Sequence, residues 1–113
     1  MSFNYNHVTI VGRATKDPEK KITDEKTHTQ LTLAVNRPYK NPDGTSPVDF
    51  LSVTMWGKSA ELAAQFIKKG VPVLVDGRIQ TRSFEVNGFK KTVTEIVGDK
   101  FEILATAQRG DAA

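Results

Sequence analysis

At 113 residues the chain suits one compact domain, long enough to bury a core without disulfides or metals as staples. A 38% hydrophobic share with 26% charged residues excludes wholesale disorder, and the lack of cysteine excludes disulfides, iron–sulfur clusters and thiolate zinc sites. Lys and Arg number 16 against 13 acidic residues, a formal charge of +3 that is compatible with a polyanionic partner but decides nothing alone.

Met1 to Tyr5 carry two rings, Phe3 and Tyr5, and read either as an arm packing on a neighbour or as a frayed end. The run from His7 to Arg13 is rich in β-branched residues, and the alternation of Val8 and Ile10 predicts a half-buried first strand ending at Gly12. Lys16-Asp17-Pro18-Glu19-Lys20-Lys21 holds a proline and little apolar content, so it reads as a loop or irregular edge. Between His28 and Asn36, Leu31, Leu33 and Val35 face one way and Thr32, Ala34 and Asn36 the other, a second strand. His7 and His28 lie in separate segments without matching ligand spacing and read as ordinary strand or loop residues, so no metal or cofactor is expected. The prolines and glycine between Arg37 and Pro47 predict a projecting, mobile hairpin loop with Arg37, Tyr39 and Lys40 at its base.

The next stretch, Asp49 to Lys58, carries the strongest functional signal. With a period of two, Leu51, Val53 and Met55 form an aliphatic face, whereas Phe50 and Trp56 stand with Ser52 and Thr54 on the polar one. Packing on a single core gives no reason to place the largest rings among hydroxyls, unless that face meets something flat. A short helix is predicted next, with Ser59 as its cap, Leu62, Ala63, Phe66 and Ile67 on one face, Lys68 and Lys69 in the last turn and Gly70 as the stop.

In the following strand Val71, Val73, Val75 and Ile79 alternate with Leu74, Asp76, Arg78, Gln80, Arg82 and Phe84. Guanidinium groups interleaved with rings suit a single nucleic-acid strand, which offers a charge at each backbone unit and a π face at each base. The competing reading makes Phe50 and Phe84 part of a second small core, with Arg78 and Arg82 merely solvating it. Asn87-Gly88 predicts a tight two-residue hairpin turn. The return strand begins near Phe89, a bulge or change of face is expected between Val93 and Ile96, and Phe101, Ile103 and Leu104 predict a last short strand. Residues 105–113 are small and polar, a loose end after a domain of residues 1–104.

Three strands, one helix and two further strands is the order of an all-β, five-stranded OB-fold barrel with a short helix after the third strand. Asn6-His7-Val8-Thr9-Ile10-Val11-Gly12-Arg13 with Lys16-Asp17-Pro18-Glu19, Leu31 to Arg37, Trp56-Gly57-Lys58-Ser59-Ala60-Glu61, Lys69-Gly70 with Val75-Asp76-Gly77-Arg78-Ile79, and Thr81-Arg82-Ser83-Phe84 occur in that order. In these motifs the chain resembles the bacterial-type single-stranded DNA-binding proteins, the SSB family, over Asn6 to Leu104. The resemblance implies a homotetramer of OB domains over which single-stranded DNA winds, its bases stacking on Tyr39, Phe50, Trp56 and Phe84. Where such relatives often have tryptophan, Tyr39, Phe50 and Phe84 carry smaller rings, and Trp56 stands where phenylalanine is common. Arg13, Arg37, Lys40, Lys58, Arg78 and Arg82 are then expected at phosphates.

The resemblance implies a nucleoid-associated protein of replication, recombination and repair, and an N-terminus with no apolar run after a basic start gives the expectation of a cytoplasmic one. No apolar segment approaches the roughly 18 residues that a bilayer span requires. Many members add a flexible linker and an acidic tip that recruits enzymes, whereas this sequence ends Arg109-Gly110-Asp111-Ala112-Ala113, so tail-dependent replication and repair partners are not expected. Two other classes compete: an OB-fold protein-interaction adaptor using the same rings as an apolar patch, and a nuclease, against which Asp49, Asp76 and Glu95 stand singly.

Overall fold

A computed structural model describes residues 3–105. Its elements in chain order are β1 (Val8–Ala14), β2 (Glu19–Thr23), β3 (Lys26–Asn36), β4 (Val48–Trp56), α1 (Gly57–Phe66), β5 (Pro72–Val86) and β6 (Phe89–Ile103). The strands run β1-β5-β6-β4-β3-β2 in one sheet, antiparallel except for the β4–β6 pair, and β1 also pairs with β3. That last pairing closes the sheet into a ring, which leaves one inward and one outward side. Period-two alternation then decides the fate of every side chain. Leu31, Leu33, Val53, Met55, Val73 and Val75 point inward and are at most 1% exposed. Helix α1 adds Ala60 and Ala63 to the same core, with Ile67 just beyond it. Inside the core, Thr29 satisfies its hydroxyl by donating to the Ala60 carbonyl at 2.8 Å.

Several sequence expectations shift. Gly12 does not end the first strand, which continues to Ala14; it sits where β1 crosses β3, and a Cβ there would lie 2.8 Å from the Ala34 carbonyl oxygen. Of the segment expected as a loop or irregular edge, Glu19 to Lys21 begin β2, an edge strand paired only with β3 through a two-residue turn at Asp24 and Glu25. Both turn residues adopt positive φ, 51° and 63°. Ser59 lies inside α1 and donates to the Asp99 carbonyl at 3.0 Å, so it ties the helix to β6 instead of capping it. The helix ends at Phe66, before the lysines. Gly70, with φ of 87°, serves the Lys68–Val71 turn that follows, and Phe66 is half exposed, leaving Ala60 and Ala63 as the buried face.

The return strand is continuous from Phe89 to Ile103, with no separate last strand. Its register slips at Asp99: Gly77 pairs with Gly98, but Asp76 pairs with Lys100. Val93 and Ile96 are out of alternation simply because they face opposite sides; the extra residue at Asp99 is what lets Ile96, Phe101 and Ile103 all pack on the one core. The Asn87-Gly88 turn forms as expected, with φ of 52° and 81°. Residues 106–113, most of the expected loose end, lie outside the described residues, as do Met1 and Ser2 of the N-terminal arm. No helix among the described residues is long and apolar enough to cross a membrane.

Candidate nucleic-acid interface

Strand register assembles the outer face. Across β3 and β4 the opposed pairs are Ala34 with Phe50, Thr32 with Ser52, Gln30 with Thr54 and His28 with Trp56. Thr54 is level with Val97 on β6, and β6 in turn sets Val97 against Arg78, Glu95 against Gln80, Val93 against Arg82 and Lys91 against Phe84. Opposed residues share a side. Phe50, Trp56, Arg78, Arg82 and Phe84 therefore all stand on the outward side, although β4 and β5 do not pair with each other. Phe50 is 67% exposed, Trp56 47% and Phe84 38%, so these rings belong to no second core. Trp56 leans on His28, with ring centroids 4.9 Å apart and planes tilted by 36°. The Arg82 guanidinium lies over Phe84, 5.7 Å from its centroid.

Arg13 joins the same side by its pairing with Ala34, next to Phe50, and donates to the Gly70 carbonyl at 3.2 Å. Tyr39 stands half exposed at the base of the 37–47 loop. Arg37 braces it: the guanidinium grips Asp49 through Nε and Nη2 at 2.9–3.2 Å and donates from Nη1 to the Tyr39 hydroxyl at 3.0 Å. Asp49 and Tyr39 hold the Arg37 guanidinium more firmly protonated than usual, and Arg37 in turn holds the Asp49 carboxyl below the ordinary carboxylate range. The tip of this loop is internally bonded, since Thr45 donates from its amide and hydroxyl to Asp43, at 3.0 and 2.7 Å. Those bonds lower the Asp43 pKa.

Carboxylates also meet the other two arginines of the face. Arg78 pairs with Asp99 at 2.8 Å and Arg82 with Glu95 at 3.1 Å. Lys40 and Lys58 are exposed and make no ion pair among the described residues. Sequence alternation had picked out the rings and two of the guanidinium groups but missed the acids beside them, because those pairings depend on register between distant strands. It also passed over His28 and Gln30. Extending the β3 alternation back from Thr32 would have put both on the ring-bearing side.

Between the β3–β4 and β5–β6 strands this face is hollowed into a cavity of about 300 Å³, lined by His28, Gln30, Thr54, Trp56, Gln80, Arg82, Glu95 and Val97. A closed sheet with rings and guanidinium groups on a concave outer side has the form of a single-strand binding surface. The model of the single-strand binding protein family matches residues 5–104. The chain belongs to that family. Its fold class is accordingly the OB-fold, with β2 as an edge strand beyond the five strands of the ring.

Among curated proteins, the chain is 47% identical over 107 residues to single-stranded DNA-binding protein 3 of Listeria innocua, covering 93% of this chain and 67% of that one. It is 42% identical over 104 residues to single-stranded DNA-binding protein 1 of Clostridium acetobutylicum, covering 89% and 94%. It is 45% identical over 101 residues to single-stranded DNA-binding protein 1 of Streptococcus pyogenes, covering 88% and 78%.

Proposed function

We propose that this chain binds and protects single-stranded DNA in replication, recombination and repair, stacking bases on Tyr39, Phe50, Trp56 and Phe84 and meeting phosphates with Arg13, Arg37, Lys40, Lys58, Arg78 and Arg82. The observation that carries this is the sharing of one exposed outer face by Phe50, Trp56 and Phe84, with the guanidinium groups of Arg78 and Arg82 on the same face. A duplex hides its π faces, whereas a single strand offers one per nucleotide, so such a face favours the single strand. The reading is non-catalytic: Asp49 pairs with Arg37, Glu95 with Arg82, and Asp76 with Thr9 at 2.6 Å and His7 at 3.4 Å, so each of these acids is held by a structural partner.

Assembly is a homotetramer joined through the first-strand surfaces of paired subunits. Support for this comes from Val11, which is 48% exposed on the outward side of β1 where an isolated subunit leaves it without cover. The setting is the cytoplasm, on the nucleoid. Filter retention of labelled oligo-dT against duplex of equal length tests the binding. Strong retention of the single strand alone is expected, and no retention would favour the adaptor reading. A monomer in sedimentation equilibrium would overturn the assembly.

A further inference from the structure

Strands β5 and β6 outrun the ring. Pairing of β1 with β5 goes no further than Gly77, where the Asn6 amide adds two bonds to the Ile79 backbone at 2.6 and 2.9 Å, and β4 pairs with β6 only at Ile96, Val97 and Gly98. Beyond these points residues 80–86 and 89–95 pair only with each other, in an arm about 20 Å long that ends in the Asn87-Gly88 turn. A two-stranded ribbon with no core beneath it has no packing reason to make its two sides different. Here they differ. Register puts Arg82, Phe84, Val86, Phe89, Lys91 and Val93 on the side that continues the ring-bearing face. The other side has the hydroxyls of Thr81, Ser83, Thr92 and Thr94, with Glu85 opposite Lys90. Phe89 is 72% exposed at the tip, opposite Val86 and about 7 Å along the arm from Phe84. Lys91 stands between the two rings, opposite Phe84 and two residues from Phe89, and makes no ion pair among the described residues.

Resting on the single-stranded DNA reading above, we propose that the tip of this arm is a further single-strand subsite, in which a base packs on Phe89 and the adjoining phosphate meets Lys91, so that the strand runs on past Phe84 to the end of β5. Phe89 and Val86 stand outside the core cluster, so they bury nothing in folding and gain only from a partner. The spacing at the tip repeats what β5 offers one step earlier, where Arg82 and Phe84 place a cation and a ring two residues apart on the same side. Charge selects among partners. Glu95 is the one acid on this side of the arm and is held by Arg82, which leaves the Lys91 ammonium for a polyanion. A second copy docking tip to tip would instead set Lys91 against its own counterpart, like charge against like.

The test measures affinity for oligo-dT of graded lengths, for the full chain and for Phe89→Ala, Lys91→Ala and Thr94→Ala. Thr94 is exposed on the opposite side of the same arm and controls for a general effect on the ribbon. Phe89→Ala should weaken binding by about fivefold or more, the lower end for one lost stacked base, on strands just long enough for one protein assembly. Lys91→Ala should flatten the dependence of log K on log salt by about 0.7, and Thr94→Ala should change neither. Because Phe89 is exposed, urea unfolding of Phe89→Ala should match the parent. A second variant reads the contact directly: Phe89→Trp combined with Trp56→Phe leaves one tryptophan, at the tip, whose emission should be quenched by the bound strand. Unchanged affinity in Phe89→Ala, or constant emission from the tip tryptophan while anisotropy shows the strand bound, would overturn the subsite and leave single-strand binding intact. So would a loss confined to strands long enough for two assemblies, since the tip would then be touching a neighbouring copy. Failure of the parent chain to bind any of the oligonucleotides would overturn the functional reading and the subsite with it.

Discussion

Removing the Trp56 ring tests stacking separately from folding. Trp56 is 47% exposed, so about half its surface is available to a base and the other half packs on its neighbours, His28 among them. Loss of a stacked ring costs roughly 1–3 kcal/mol per base, so Trp56→Ala should weaken oligo-dT binding about 5- to 150-fold. The packed half, on the order of 120 Å² of a tryptophan's area, is worth at most about 3 kcal/mol of stability at 25 cal/mol per Å². Because Trp56 donates no side-chain cap to α1, the helix itself should survive. Trp56→Phe keeps a smaller ring and should recover most of the affinity. Anisotropy of a labelled oligonucleotide reads binding, and urea denaturation of the same samples reads stability. If Trp56→Ala bound within about twofold of the parent, below the smallest stacking loss, the ring would not be stacking on a base.

Other expectations separate core from face. Val53 is fully buried, so Val53→Ala should lower stability by about 2–3 kcal/mol in denaturant unfolding while the affinity of the folded protein holds. Gly77→Ala should destabilise strongly, by about 3 kcal/mol or more, because the new Cβ would collide with the Val97 carbonyl beside the β6 bulge; a thermal midpoint equal to the parent's would contradict that packing. Arg37→Ala and Arg78→Ala should each flatten the dependence of log K on log salt by about 0.7 if each guanidinium takes up one phosphate. The Asp49 carboxyl is depressed in the folded state, so its pairing stabilises above the unfolded value of 3.8 and is lost as pH falls through the folded one. Acid unfolding should therefore begin at higher pH in the parent than in Asp49→Asn, judged relative to each protein's neutral stability.

Local pattern carried most of the ring and part of the site. In β4 the alternation is clean because one side is core and the other is open, so Phe50 and Trp56 stood out at once. The Asn87-Gly88 turn was equally legible, since few other residue pairs accept positive φ twice. Strand β2 was not: all of its residues are exposed, which removes the alternation, and its turn uses Asp24 and Glu25 where glycine or asparagine is the usual sign. The bulge at Asp99 and the ion pairs of Arg78 and Arg82 depend on how β6 lies against β5 and β4. Register between strands so far apart in the chain leaves no trace in local periodicity. The end of α1 was misplaced because lysines and a glycine form a normal helix stop, yet here they belong to the Lys68–Val71 turn that leads into β5.

Because the chain holds a single tryptophan, its emission reports on the proposed interface alone. Titration of that emission with oligo-dT, with duplex and with oligo-dT at raised salt tests the central claim most directly. The account predicts strong quenching that saturates with the single strand, none with the duplex at the same concentration, and a midpoint that moves to weaker binding as salt rises. Emission that stays constant while anisotropy shows the strand to be bound would place the bases elsewhere on the molecule and contradict it.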